Sequence, residues 1–475
     1  MPVFCLMPQN IVYLREFPAE NPFAGDADLA IQQWLTPSSL FGALHVALHE
    51  TFPQVQLAEH LHAWGLNGHY PNRNERNQRF GSLAIAGPFP CWRNQRFLNW
   101  FFPAPSDVYI EKYEPVTKTI PSGITPKDSS DIALNSENTG VGWWLPVDRL
   151  KGTSNLPEPL KYGLGYYGIP KRESHSYWWS KEAFEAYLIQ KPPLAQQLRT
   201  SEQFYSIQHE ENAKCRNRIL SDCGRMCQVR FNEECGLSFS AYLPVEDGKE
   251  GLNKLFFGKG LLRYPARSNN AFRIFPQYET GLESLLPISA KNIQNRMKWV
   301  LLAPAIFPES GRVPGQKSVR HPGGWLPNWI CPETGQVMLR VGTTQRKKSE
   351  SRTEWRLRIR KEGEPYRCHL VAASITGMLE IRGWSQHKHT RLHEASALPG
   401  PKPVINAVPA GSVYYFEGPD ASVLACALQW HGNQQKECII QNRRSTLWGE
   451  KGFGIGVCGP WSPSSLFTPH NQTSL

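Results

Sequence analysis

Thr36-Pro-Ser-Ser-Leu-Phe-Gly-Ala-Leu-His-Val-Ala-Leu-His-Glu50 is the stretch on which the fold turns. Leu40, Phe41, Leu44, Ala47 and Leu48 recur at the spacing of one helical face. Thr36 suits a cap, and Pro37 suits the first helical position, where its missing N–H has no acceptor to lose. Ser38, Gly42, His45 and His49 fall on another face, and Pro53 closes the segment. A helix set among short apolar runs predicts an α+β chain.

Strand patterns lie on both sides. Residues 3–6 and 11–14 read as an opening β-unit, and 80–89 alternates between breakers. Residues 114–142, rich in Ser, Thr, Pro and Asp, read as a long loop. A second helix is expected over 179–188, capped by Ser180, with Ala183, Phe184, Tyr187 and Leu188 as its apolar stripe. Pro192-Pro193 follow, and a domain boundary is placed near residue 200. Beyond it, strands are expected over 204–209, 227–231, 237–243, 297–304 and 413–416, with a hairpin of arms 337–341 and 354–360. No exact repeat occurs, yet each part opens with a strand and holds a helix among strands. The division is therefore 1–200 and 201–475.

Composition narrows the class. A hydrophobic share of 40%, with 16 Trp, 16 Tyr and 22 Phe, is enough for packed cores and excludes a disordered scaffold. The 38 Gly and 39 Pro imply many short elements. No run of about eighteen apolar residues is present, so no membrane helix is expected. The start, Met1-Pro-Val-Phe-Cys-Leu-Met-Pro, reads as a strand and lacks the basic flank of a signal peptide. Eleven cysteines without regular spacing fit a reducing, cytoplasmic setting. The net charge of +11 suits either a solvated basic surface or a polyanion, whose counterions each bound Lys or Arg would release.

Several motifs admit two readings. Lys451-Gly-Phe-Gly-Ile-Gly-Val-Cys-Gly459 places alternate glycines where successive N–H groups can cradle a phosphate, with Arg443 and Arg444 nearby; it also suits a plain turn between strands. No Gly-Lys-Ser/Thr ends it, so it is not a P-loop. In Glu354-Trp-Arg-Leu-Arg-Ile-Arg360, a strand would put Arg356, Arg358 and Arg360 on one face, either against RNA or as charged protection of an edge. His45 and His49, one turn apart, suit metal binding or general acid–base chemistry, though most such pairs do neither. Cys215, Cys223, Cys227 and Cys235 are spaced too irregularly for zinc knuckles, and His387, His389 and His393 lack a matching Cys pair. No metal site or cofactor is assigned. No nucleophile-elbow, His-Glu-x-x-His or Walker pattern occurs.

The ordered set of segments says more than any one of them. Residues 8–15, Asn21-Pro-Phe-Ala-Gly25, Pro37-Ser-Ser-Leu-Phe-Gly-Ala-Leu44, Phe80-Gly-Ser-Leu-Ala-Ile-Ala-Gly-Pro-Phe89 and Phe102-Pro-Ala-Pro-Ser-Asp-Val108 come first. Leu301-Leu-Ala-Pro-Ala-Ile-Phe307, Gly324-Trp-Leu-Pro327, Ile381-Arg-Gly-Trp-Ser385, Ala407-Val-Pro-Ala-Gly-Ser-Val-Tyr-Tyr-Phe416 and the segment from Gly452 to Trp461 follow. In this order they resemble the RAMP superfamily of CRISPR proteins, within it the Cmr-module (type III-B) subunits that bind the 5′ handle of the guide RNA. The resemblance implies two ferredoxin-like, RRM-related domains with long insertions. It also implies a non-catalytic role in an antiviral ribonucleoprotein. The implied partners are the crRNA 5′ handle, the large cyclase-like effector subunit and a backbone RAMP subunit.

Under that reading Gly452, Phe453, Gly454, Gly456, Lys451, Arg443 and Arg444 hold RNA, Ser38 and Ser39 add contacts at the helix start, and Arg356, Arg358 and Arg360 offer a basic face. The chain departs from the family pattern in having Pro8-Gln9-Asn10 for Pro-Asp, His45 for an Arg, Gly258-Lys-Gly260 for Gly-Gly-Glu, and an expanded 331–368 segment. The alternative function is a metal-independent endoribonuclease acting on precursor guide RNA through His45 or His49, as relatives on similar scaffolds do.

Overall fold

A computed structural model describes residues 3–9, 11–15, 36–51, 83–93, 98–111, 140–143, 145–147, 156, 160–165, 177–191, 193–209, 226–242, 261–263, 271–277, 281–309, 321–339, 354, 364–381, 384–385, 400–401, 404–430 and 446–463. The elements that position the site run, in chain order, β1 (Val3–Pro8), α1 (Pro37–Thr51), β2 (Ala84–Arg93), β3 (Leu98–Pro103), β4 (Tyr177–Ser180), α2 (Lys181–Leu188), β5 (Leu198–Thr200), β6 (Cys235–Tyr242), β7 (Leu261–Arg263) and β8 (Ala271–Gln277). A second group follows: β9 (Arg296–Leu301), β10 (His369–Ser374), β11 (Val413–Glu417), α3 (Ala421–Leu428) and β12 (Gly456–Pro460).

Two antiparallel sheets organise these elements. The first has eight strands in the order β5-β4-β3-β2-β6-β1-β8-β7, and the second has four in the order β10-β11-β9-β12. Four consecutive members of the first sheet, β2-β6-β1-β8, follow the same sequence rule as the second sheet: second, third, first, fourth. Pairing registers such as Leu6 with Leu237 and Trp299 with Tyr414 join segments more than a hundred residues apart. The first sheet therefore carries strands from either side of residue 200, while the whole second sheet lies beyond residue 295.

Period-two alternation explains how the layers stack. Phe4 and Leu6 of β1, with Leu237, Phe239 and Ala241 of β6, pack with Leu40, Phe41 and Leu44 of α1. Met297, Trp299 and Leu301 of β9, with Tyr414 and Phe416 of β11, pack with Leu424, Ala425 and Leu428 of α3. The intervening residues face a shared core. There Val3, Cys5, Phe89 and Cys91 meet Val300, Val413, Tyr415 and Val457, together with Phe184, Tyr187 and Leu188 of α2. The order of layers is thus α1, first sheet, shared core, second sheet, α3.

The sequence places α2 two residues early. Tyr177, Trp178 and Trp179 are β-formers and belong to β4, paired with β3 and β5; the helix starts at Lys181, with the Ser180 side chain accepting the Ala183 N–H at 3.3 Å. The end of the long loop expected over 114–142 is also ordered, because Gly140–Trp143 pairs with Val108–Glu111. The expected hairpin lies largely outside the described residues; within them, Val337 bridges Ile330.

The turn on the helix start

Residues 446–456 form a tight turn that crosses from the end of the second sheet to the first turn of α1. Its backbone is unusual at three points: Trp448 has φ 59°, Gly452 φ 101° and Gly454 φ 68°. Glycine tolerates this region and a bulky residue does not, so Trp448 is the strained member. A Cβ on Gly452 would stand 2.7 Å from the Gly87 carbonyl oxygen and 3.2 Å from Pro37 Cβ. On Gly454 it would stand 2.3 Å from Thr446 Cγ2. Gly452 is required because the turn lies directly on β2 and on the helix start, and Gly454 because Thr446 of the same turn packs against it.

The turn is tied down by its own amides. Lys451 N–H donates to the Trp448 carbonyl at 2.8 Å, Gly452 N–H to Gly449 at 3.1 Å and Gly454 N–H to Pro304 at 2.7 Å. Thr446 Oγ1 accepts the Ile306 N–H at 2.8 Å. Phe453 is fully buried among Ile306, Leu379, Ile381 and Ala407. These amides and this ring therefore fix the position of the turn, and the cradle of glycine amides expected from the sequence is directed inward at Gly452 and Gly454. Gly456 is also not part of a loop. It begins β12, pairs with Leu301, and leaves room for Trp299, whose Nε1 would be 2.2 Å from an added Cβ.

What remains toward solvent is a compact set of polar groups. Thr36, Ser38 and Ser39 are half-buried at the α1 start, and the Thr36 hydroxyl lies 3.0 Å from both serine hydroxyls. The first turn of α1 contains no acidic residue of its own to offset the partial positive charge of the helix end. Lys451, half-buried, extends its ammonium 4.1 Å from the Trp448 ring centroid and 5.8 Å from that of Phe41. Helix end, ammonium and hydroxyl donors together are suited to an anionic oxygen.

Of the residues singled out from sequence, Ser38, Ser39, Lys451 and Gly452 are thus brought together. Phe453, Gly454 and Gly456 support them from within. Arg443, Arg444, Arg356, Arg358 and Arg360 lie outside the described residues, as do the side chains of His45 and His49, whose backbone is helical. Cys215, Cys223 and the histidines at 387, 389 and 393 lie outside them as well. Among the described residues, no group of three or more His, Cys, Asp or Glu is arranged to hold a metal, and no helix is long and apolar enough to cross a membrane.

A polar cluster missed from sequence joins the two sheets. Asp107, which follows β3, accepts from Tyr187 Oη at 2.8 and 2.7 Å on its two oxygens, and from Tyr415 Oη. Lys298 on β9 donates to the Tyr187 carbonyl at 3.2 Å, its ammonium 3.3 Å from the Tyr187 ring centroid. All four side chains are buried. Burial raises the Asp107 carboxyl against the opposing pull of Lys298 and the two phenols, and it lowers Lys298 to about 8 against the attraction of Asp107. The signal was present in Met297-Lys-Trp-Val300: a lysine inside an apolar strand whose neighbours are all buried.

Comparison with known proteins follows the same geography. Residues 228–461 match the model of the family described as CRISPR-associated protein (Cas_Cmr3). That span contains the second sheet and the turn, but not α1, on which the turn rests. No curated protein matches the chain. Among solved structures, a chain in the cryo-EM structure of the Type III-B Cmr-beta bound to cognate target RNA aligns at 9% identity, over 87% of this chain and 86% of that one, with a TM-score of 0.33. So slight a structural likeness carries no argument, and what the comparisons show is a similarity of residues 228–461, just under half of this chain, to that Cmr-module CRISPR family.

Proposed function

We propose that this protein is the non-catalytic subunit that holds the 5′ handle of the guide RNA in a type III CRISPR effector complex. The observation that carries the reading is the seating of the 446–456 turn on the α1 start, which collects Lys451, Ser38 and Ser39 at one helix end without a neighbouring carboxylate in that first turn. Such an end takes a phosphate through charge and hydroxyl donors and leaves bases free to pair. Arg443 and Arg444, two to three residues before the turn in sequence, are the further cations this reading assigns to the RNA backbone.

Both sheets are read as ferredoxin-like. Their shared strand rule and antiparallel neighbours support this, with α1 on one outer face and α3 on the other. The first such unit then draws on β1, β2, β6 and β8, and the second on β9 to β12. The large cyclase-like subunit and a backbone RAMP subunit are the proposed protein partners, in the cytoplasm.

The test is a salt titration of binding to 5′-handle RNA. Each lost phosphate contact flattens the plot of log affinity against log salt by about one unit. Lys451→Ala with Ser38→Ala and Ser39→Ala should weaken binding and reduce the slope. Wild-type affinity at every salt concentration would remove this placement.

A further inference from the structure

Two cysteines and a methionine meet on the first sheet, on the face turned toward the shared core. Cys5 Sγ lies 3.6 Å from Cys91 Sγ and 3.6 Å from Met7 Sδ. Cys5 and Cys91 are fully buried, whereas Met7 is half-buried and gives the group its outer side. The strands that carry them, β1 and β2, are not neighbours: β6 runs between, with Ser238 opposite Cys5 and Gly236 opposite Cys91. Gly236 leaves room for the Met7 sulfur, since a Cβ there would stand 2.8 Å from Met7 Sδ and 2.5 Å from the Leu6 carbonyl oxygen.

The intervening strand decides between two uses of such a pair. Two strand spacings of about 4.8 Å separate the backbones by roughly 9–10 Å. A disulfide requires Cα atoms within about 7 Å, so direct S–S bonding is out of reach of this sheet. A metal ion placed between the sulfurs lengthens the bridge by a second bond and needs no such approach. Thiolate and thioether ligands select soft d10 ions, and a three-sulfur set suits low-coordinate Cu(I).

We propose that Cys5, Cys91 and Met7 form a binding site for a single Cu(I) ion, independent of the RNA-binding reading. Burial holds the Cys91 thiol well above its usual pKa, a sense in which the Cys5 contact also acts and Arg93 opposes. The resting Cys91 sulfur is therefore S–H. Binding exchanges two thiol protons for one Cu(I), forming two Cu–thiolate bonds and one Cu–thioether bond with no change in oxidation state. The product carries one net negative charge. Arg93, two residues along β2, lies over the Phe275 ring at 4.2 Å and supplies a cation near that charge.

The test is anaerobic Cu(I) titration of the full chain against bicinchoninate as competitor. Wild type should bind one more equivalent than Cys5→Ala/Cys91→Ala. Met7→Leu, which keeps the shape and removes only the sulfur, should bind that equivalent at least ten-fold more weakly with an unchanged melting temperature. Equal equivalents in wild type and the double variant overturn the site. If the double variant does not fold, Met7→Leu decides alone, and wild-type affinity in it overturns the site equally.

Discussion

Gly452 rests against Pro37, the most strongly bent residue of a C-terminal turn against the first residue of an N-terminal helix. An added Cβ would come to 3.2 Å of Pro37 Cβ and 2.7 Å of the Gly87 carbonyl oxygen. Through this one contact, residues more than four hundred positions apart in the chain share a surface.

Gly452→Ala should therefore unseat the turn. Its φ of 101° is hostile to any Cβ, and the backbone of Gly87 cannot move aside cheaply. The expected cost is about 1–3 kcal/mol. Denaturant unfolding would measure it, and hydrogen exchange at 446–456 should rise more than in the second sheet. A variant as stable as wild type would mean the turn is not held by close packing.

Tyr415→Phe removes a donor from a buried carboxyl while keeping the ring. The hydroxyl of Tyr187 still bonds Asp107, so the expected loss is about 1–3 kcal/mol rather than loss of the fold. Urea unfolding of the full chain tests this. A neutral result would show that Asp107 is satisfied without Tyr415.

The lysine in the same cluster gives a pH signature. Burial depresses Lys298 to about 8, against 10.5 in an unfolded chain. Between those values the unfolded state binds a proton that the folded state has released, so stability contributed at this position rises with pH. Relative to Lys298→Met, wild type should gain stability from pH 8 toward pH 10.5. A constant difference across that range would mean that Lys298 keeps its proton in the fold.

Glu417 behaves in the opposite sense at the acid end. Burial pushes its carboxyl up, yet bonds from Lys161 and Arg296 outweigh that and hold it below its usual value. Its stabilising share is present above about pH 4.5 and is lost as pH falls through the lowered value. Partial exposure of all three residues limits the effect to below about 1 kcal/mol. The gap between wild type and Glu417→Gln, measured by denaturation at low and high salt, should narrow on acidification and with added salt.

Local signals carried much of this fold. The stripe from Leu40 to Leu44, the Ser180 cap and the apolar strand that opens at Met297 were legible because each depends on residues within a turn or two of one another. The partnership of β1 with β6 and β8 was not. Such pairing depends on which edges remain after long excursions, and no pattern within Val3–Pro8 names Cys235–Tyr242 as its neighbour. The same limit applied to the glycine run. Alternate glycines mark where a backbone comes close to something, but sequence does not say whether that something is a phosphate or, as at Gly452 and Gly454, the protein's own Gly87, Pro37 and Thr446. Ser38, Ser39 and Lys451 were each visible, and only the tertiary contact between turn and helix assembles them.

The most direct measurement is site-specific crosslinking in the assembled complex. A guide RNA with a photoreactive first nucleotide should label the peptides spanning residues 36–41 and 446–456, and Lys451→Ala should reduce that labelling. Labelling confined to another subunit, with this chain untouched by the leading nucleotide, would contradict the account.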